Sequence, residues 1–203
     1  MDSKKVLYAH GGGDECYTPA YGVRPILKYV PEGAIVWCPF DTERSEFVKL
    51  IKAQGNQVIH THIDTGHDFF SCEPVIPWDM IISNPPFKNK KQFFKRALSF
   101  GKPICLLGPM TWLNDSGSKL AFQEEGRKMQ LLMFDNRMEF NRMNGKKAKT
   151  ITFSSGYYCS DFLPEDLILG GKLDKTKQEK PVPCPTCQGG GCPYCGGYGW
   201  LFE

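Results

Sequence analysis

Between Ala34 and about Tyr158, short apolar runs take turns with segments whose apolar residues recur at helical spacing. Ala34-Ile-Val-Trp-Cys38 follows Pro31-Glu32-Gly33 and reads as a buried strand. From Ser45 to Gln54, Phe47, Leu50 and Ile51 fall on one helical face, and Gly55-Asn56 supplies a stop. Val58-Ile59 and Asp79-Met-Ile-Ile-Ser83 predict two more strands. Lys91 to Phe100 predicts a helix with Phe93, Phe94, Ala97 and Leu98 inward, closed by Gly101-Lys102-Pro103 ahead of a strand at Ile104–Leu107. Leu131–Phe134 and Thr150–Tyr158 predict a last pair, expected as an antiparallel hairpin at the edge of a mostly parallel sheet. Strand and helix alternating under short Gly/Pro punctuation give an α/β fold built on a doubly wound, mostly parallel sheet. Ligands bind such sheets beyond the carboxyl ends of the strands, where the winding reverses. The polar and conformationally special residues gather there: Pro39-Phe40-Asp41, Asp64 to Asp68, and Asn84-Pro85-Pro86-Phe87.

The pattern changes at the carboxyl end. Residues 171–183 are polar, charged and proline-ended and read as a linker, which divides the chain into a main domain at 1–170 and a tail at 184–203. At 203 residues the chain can bury one sizeable core, with a little left over for an appendage. Composition is ordinary, 41% hydrophobic and 23% charged, and a net charge of +3 permits a nucleic-acid partner without requiring one. No apolar run approaches the roughly 18–20 residues that span a bilayer, and the opening residues lack a secretion signal. A cytoplasmic setting is expected. Five of the nine cysteines, Cys16, Cys38, Cys72, Cys105 and Cys159, stand singly, mostly in apolar runs, which points to reduced thiols.

Asn84-Pro85-Pro86-Phe87 carries the sharpest chemistry. Two successive prolines fix φ, remove two donors and end the strand while leaving their carbonyls free. An adenine amine presents two N–H groups, which the Asn84 side-chain oxygen and the Pro85 carbonyl can accept. Phe87 offers a face to stack on the base, worth about 1–3 kcal/mol. Such positioning needs neither metal nor covalent intermediate. A plain strand-ending turn accounts for the same prolines.

Placed after Met80-Ile81-Ile82, Asn84-Pro85-Pro86-Phe87 resembles motif IV of the class I S-adenosylmethionine-dependent amino-methyltransferases, Rossmann-like enzymes that modify adenine or cytosine amines. In that family Asn at the first position accompanies adenine; a related pattern occurs in enzymes that methylate glutamine. Asp14-Glu15-Cys16-Tyr17-Thr18-Pro19 resembles the amino-terminal motif, so Tyr17, Thr18 and Pro19 are implied to border the methionine part of the donor; a capped turn explains them equally. Asp68 and Phe69 match the loop that contacts the donor's adenine, and Asn84 is implied to lie beside the donor as well. Motif I departs from the pattern. Trp37-Cys38-Pro39-Phe40-Asp41-Thr42-Glu43 lacks the glycine turn, Cys38 holds the usual acidic place, and Asp41 follows three residues later. The second strand ends in His60-Thr61-His62, leaving Asp64 as the nearest acid for the donor's ribose. Short phage-type methyltransferase sequences carry this Trp-Cys-Pro-Phe-Asp form. The resemblance spans roughly residues 14–160 and implies transfer of a methyl group from S-adenosylmethionine to N6 of adenine in DNA. A methyltransferase-like binding scaffold, or methylation of RNA or of a protein glutamine, are the alternatives.

Lys88, Lys90, Lys91, Lys95 and Arg96 interleave with Phe93 and Phe94, and Lys146, Lys147 and Lys149 form a second basic group after Arg137 and Arg142. They are candidates for phosphate contacts, with a solvated helix face as the plain explanation. Asn114–Lys149 is the stretch available for a short recognition loop, and an adenine in a duplex must be flipped out to reach the corner. His60, His62 and His67 lack partners at metal-ligand spacing and read as strand-end histidines. Gly11-Gly12-Gly13 reads as a lead-in, without the Lys-Ser/Thr of a phosphate loop. Cys184-Pro-Thr-Cys187 and Cys192-Pro-Tyr-Cys195 are two knuckles four residues apart, a spacing that lets four thiolates surround one Zn²⁺. They resemble cysteine–glycine zinc modules and zinc ribbons; redox-active or unliganded thiols are the alternatives. Tyr194, Tyr198, Trp200 and Phe202 surround them, and too few residues flank the knuckles to build a core without metal.

Overall fold

The computed structural model describes residues 16–87, 89–142, 153–177, 181–183, 185–188 and 200–202. These fall into two compact units, of which the larger runs from Thr18 to Met138 and from Thr152 to Gln178. In chain order the elements are β1 (Cys16–Tyr17), α1 (Ala20–Leu27), β2 (Ile35–Cys38), α2 (Glu46–Ala53), β3 (Gln57–His60), β4 (Met80–Ser83), α3 (Lys90–Ser99), β5 (Ile104–Pro109), α4 (Ser116–Glu124), β6 (Gln130–Met133), β7 (Asn141–Arg142), β8 (Ser155–Ser160), β9 (Leu167–Leu169), β10 (Pro181–Pro183) and β11 (Trp200–Phe202). Short 3-10 turns at Ile63–Thr65, Met110–Asn114 and Lys175–Lys177 punctuate the connections. Of the described residues in the smaller unit, β1 pairs antiparallel with β7, and β10 with β11.

The larger unit is built on a seven-stranded sheet in the order β3-β2-β4-β5-β8-β6-β9. β2 runs parallel to β3 and β4, and β4 parallel to β5, while β8 is antiparallel to both β5 and β6. β9 adds parallel to β6 and forms the edge. The doubly wound, mostly parallel sheet expected from the alternation is therefore present. The expected antiparallel pair is present as β6 and β8, but it is not the edge: β8 lies between β5 and β6, and β9 lies outside them. Leu167-Ile168-Leu169 escapes notice in the sequence because the run is only three residues long. Within Asn114–Lys149 the structure forms α4 as well as β6, the latter close to the strand expected at Leu131–Phe134.

Alternation along the strands assigns the two faces. Trp37, Ile81, Ile104, Leu106 and Tyr158 pack with Phe93, Phe94, Ala97 and Leu98 of α3 and with Ala121 and Phe122 of α4. On the opposite face the Tyr157 hydroxyl donates to the Gly22 carbonyl of α1 at 2.7 Å, and its ring meets Phe47 of α2 edge-on. Helices cover both faces, so the strands carry continuous apolar runs. α2 starts where Ser45 accepts a hydrogen bond from Phe47 N–H at 3.3 Å and stops at Gly55, whose φ is +89°. The segment that begins the expected linker docks on this unit: Leu173 is buried, and Asn136 pairs with its backbone N–H and C=O. Among the described residues no helix is long and apolar enough to cross a membrane.

Candidate active site

Chain winding reverses between β2 and β4, because β3 lies on one side of β2 and β4 on the other. The crevice beyond their carboxyl ends is the natural ligand position of such a sheet. Cys38-Pro39-Phe40-Asp41 leaves β2 there and Ser83-Asn84-Pro85-Pro86 leaves β4 beside it.

Asn84 is clamped at the mouth of this crevice. Its side-chain Nδ2 donates to Thr18 Oγ1 at 3.3 Å, which ties the corner to the segment entering α1. The other end of the amide, Oδ1, is buried and accepts no hydrogen bond from any described residue. Leaving a buried amide oxygen unpaired costs about 1–3 kcal/mol. Pro85 is buried and Pro86 is exposed. Half-buried Phe87 meets Trp112 and Phe153 edge-on, with centroids 5.7 and 5.6 Å apart. A wall of three aromatic rings thus backs the corner, of which only Phe87 was legible as part of a site.

Beneath Asn84 lies a buried polar network. Both carboxylate oxygens of Asp41 accept serine hydroxyls, Oδ1 from Ser45 and Oδ2 from Ser83. Ser83 Oγ in turn accepts Phe40 N–H at 3.2 Å, and Asp41 N–H donates to the Thr61 carbonyl at 3.2 Å. Burial pushes the Asp41 carboxyl up from 3.8 to about 6, against the opposing pull of the two serine hydroxyls and of the neighbouring His62. Cys38 is fully buried, and burial, with Asp41 nearby, raises its thiol well above the ordinary range. Ser45, Thr61 and Ser83 were not singled out from sequence. A serine closing the apolar run Met80-Ile81-Ile82 was the one available sign.

The remaining sequence candidates divide. Thr18 and Pro19 are buried beside Asn84, Pro19 at the N-cap of α1. Tyr17 belongs to the smaller unit, where it pairs with Asn141. Asp64 is exposed past β3, with its carboxylate 3.4 Å from His62 Nδ1. Asp68 folds back to accept Phe70 N–H at 3.0 Å. Phe69 is turned inward against Trp37, Phe40 and Phe93, whereas Phe70 is the exposed ring of the pair. Burial lowers the His60 imidazole below its usual range.

Of the basic candidates, Lys90 pairs with Asp115 and lies over the Trp112 ring, and Lys91 reaches Glu124 at 2.5 Å. Lys95 joins the same Glu124 at 3.3 Å, so these lysines fasten α3 to α4. Arg142 lies in β7 opposite Cys16. Lys88, Lys146 and Lys147 lie outside the described residues, as do Cys184, Cys192 and Cys195 of the zinc candidates; Cys187 is half-buried. Among the described residues no group of three His, Cys, Asp or Glu side chains is placed to hold a metal ion.

No family model matches the chain, and no curated protein sequence does. Comparison with solved structures returns matches of low identity. A precorrin-6y C5,15-methyltransferase from Geobacter metallireducens shares 8% identity at a TM-score of 0.42, covering 68% of this chain and 85% of that one. A protein from Listeria monocytogenes assigned as a class I S-adenosylmethionine-dependent methyltransferase shares 13% at 0.44, covering 78% and 64%. A type I restriction-modification methyltransferase subunit from Streptococcus thermophilus shares 11% at 0.42, covering 75% and 45%.

Proposed function

We propose that the protein transfers the methyl group of S-adenosylmethionine to the exocyclic N6 amine of adenine in DNA. The observation that carries this reading is the orphaned Oδ1 of Asn84, a buried acceptor held at the switch point by Thr18 and followed by two prolines. An amine arriving there satisfies that oxygen with one N–H and the Pro85 carbonyl with the other, and both contacts turn the nitrogen lone pair outward. Phe87 supports the base plane, itself held by Trp112 and Phe153.

The surrounding side chains fit a donor of this class. Thr18 and Pro19 border the corner, Asp64 offers an exposed carboxylate for ribose hydroxyls beyond β3, and half-buried Phe40 lies between β2 and β4. When bound, S-adenosylmethionine supplies an electrophilic methyl group on a sulfonium. The protein's part is to hold the amine in line with it and keep bulk water away. Asp41 is buried, and each of its oxygens already accepts a serine hydroxyl.

Asn84→Ala tests the assignment. Methyl transfer falls by at least about 100-fold, while donor affinity by calorimetry changes little. Mass spectrometry of nucleosides from a host expressing the wild-type protein should show N6-methyladenine in DNA that is absent with Asn84→Ala. Unchanged methylation in the variant refutes the corner. The same mark confined to RNA or to a protein glutamine moves the acceptor, and no binding at millimolar donor favours a binding scaffold. A Zn²⁺ ion on Cys184, Cys187, Cys192 and Cys195 is the companion proposal from their spacing, checked by metal content of the purified chain and of a four-serine variant.

A further inference from the structure

The acid that follows β2 has a different task from donor binding. Asp41 is buried, and its carboxylate joins three separated pieces of backbone: the exit of β2, the first turn of α2 through Ser45, and the last residue of β4 through Ser83. Ser83 immediately precedes Asn84, and its hydroxyl is fixed from both sides, donating to Asp41 and accepting Phe40 N–H at 3.2 Å. With the methyl-transfer reading of Asn84 as its premise, we infer that Asp41 is the positioning residue of the target corner: its carboxylate holds Ser83, and Ser83 sets the angle at which Asn84 presents its unpaired amide oxygen.

The chemistry of the network supports the direction of this coupling. An ionised carboxylate is acceptor-only and can receive both serine hydroxyls at once, whereas a protonated one must turn an O–H toward an oxygen it previously received from. Protonation therefore reverses one of the two bonds, so that serine's own O–H must turn to another acceptor, and at Ser83 that turn carries to Asn84. Groups facing Asp41 act on the same equilibrium. His62 from the loop after β3 favours the ionised form, while the Cys38 thiol on β2 and the Tyr157 phenol on β8 are pushed up chiefly by their own burial, with Asp41 a smaller contributor. The carboxyl is raised to about 6, so the transition falls where it can be measured.

Side-chain NMR of the full chain reads the coupling without any substrate. The Asp41 ¹³Cγ signal and the Asn84 ¹⁵N–¹H₂ signals should move together with one midpoint at about 6. In Ser83→Ala, Asp41 still titrates, with a higher midpoint because a hydrogen bond to the carboxylate is gone, but Asn84 no longer follows. His62→Gln keeps the joint movement and shifts its midpoint upward. In the transfer assay, wild-type kcat falls about tenfold for each pH unit below the transition. Asp41→Asn loses that acid limb and about 10- to 100-fold in kcat, with KM for the donor within about threefold; Asp41→Glu recovers part of both. Asn84 signals indifferent to the Asp41 titration overturn the inference. So does an Asp41→Asn protein that binds donor about 30-fold more weakly yet turns over normally at saturation. Joint movement in a wild type that methylates nothing upholds the positioning role and refutes the methyl-transfer reading instead.

Discussion

Gly108→Ala tests whether the aromatic wall behind Phe87 is held at van der Waals contact. Gly108 lies in β5, and a Cβ built there stands 2.3 Å from Trp112 Cζ3, 2.6 Å from Cε3 and 3.0 Å from Cη2. Carbon atoms settle at about 3.5–4.0 Å, so the indole must retreat by more than about 1 Å. Its surroundings do not let it: Trp112 is 4% exposed, and Phe87, Phe94 and Tyr158 each lie 5.7 Å away between ring centroids. Overpacking of a well-filled core costs about 1–3 kcal/mol. The upper end is expected here, because a rigid indole faces an internal strand with helices on both sides. With a urea slope of about 2 kcal/mol/M, the denaturation midpoint should fall by about 1 to 1.5 M. Trimming the indole relieves the clash, so Gly108→Ala/Trp112→Leu should be more stable than the two single losses added together by at least about 1 kcal/mol. A single variant with an unchanged midpoint, or a strictly additive double variant, refutes the contact. Methyl transfer should fall along with stability, since the retreating indole pushes on Phe87.

Asp41 should give stability a pH dependence of unusual sign for a carboxylate. Its folded pKa is raised, so below about 4 it carries a proton in both folded and unfolded chains; as pH rises to about 6 the unfolded carboxyl ionises first and stability declines. From 3.8 to about 6, at about 1.4 kcal/mol per pH unit, the decline is about 3 kcal/mol. Urea titrations of Asp41→Asn beside wild type should show it as a difference that grows over that window and is flat above it; a constant difference defeats the reasoning. Gln130 is buried at the head of β6, where its amide oxygen Oε1 receives Phe162 N–H and Leu163 N–H at 3.0 Å each and its Nε2 donates to the Leu163 carbonyl at 2.7 Å. Gln130→Met should therefore cost about 3 kcal/mol and speed hydrogen exchange in Leu167–Leu169 beyond the rest of the sheet; uniform exchange would show that the segment after β8 does not depend on Gln130.

What could be read from sequence follows burial. β2, β4 and β5 are covered on both faces and nearly all their residues are buried, so each is a continuous apolar run with a sharp end. The end of β4 coincides with Asn84-Pro85, where proline chemistry marks the corner independently of the strand pattern. β9 was hidden because Leu167 and Leu169 are exposed and the run is short. α4 was hidden because only Ser118, Ala121 and Phe122 of its nine residues are buried, too few to set a period. At the site, Asp41 was legible as an acid beyond a strand, but not as a buried one. Its serine partners lie 4 and 42 residues away, and only the pairing of β2 with β4 brings Ser83 across. Phe69 and Phe70 show the same limit: both rings meet Phe93, yet only Phe69 is buried, and composition does not say which.

The absence of glycine after β2 acquires a physical meaning from this network. A glycine-rich turn leaves successive backbone N–H groups free to face a ligand. After β2 those groups are consumed internally, Phe40 N–H by Ser83 Oγ and Asp41 N–H by the Thr61 carbonyl. The turn can therefore be stiff without glycine, because side chains fix it from below. The same bonds leave neither of these two N–H groups free for a ligand in the crevice between β2 and β4. One buried carboxylate then serves both halves of the crevice: it closes the turn on the β2 side and steadies Asn84 on the β4 side. Loss of Asp41 should for that reason be felt at the amine corner before it is felt in donor affinity, the reverse of what a ligand-contacting acid at this strand end would give.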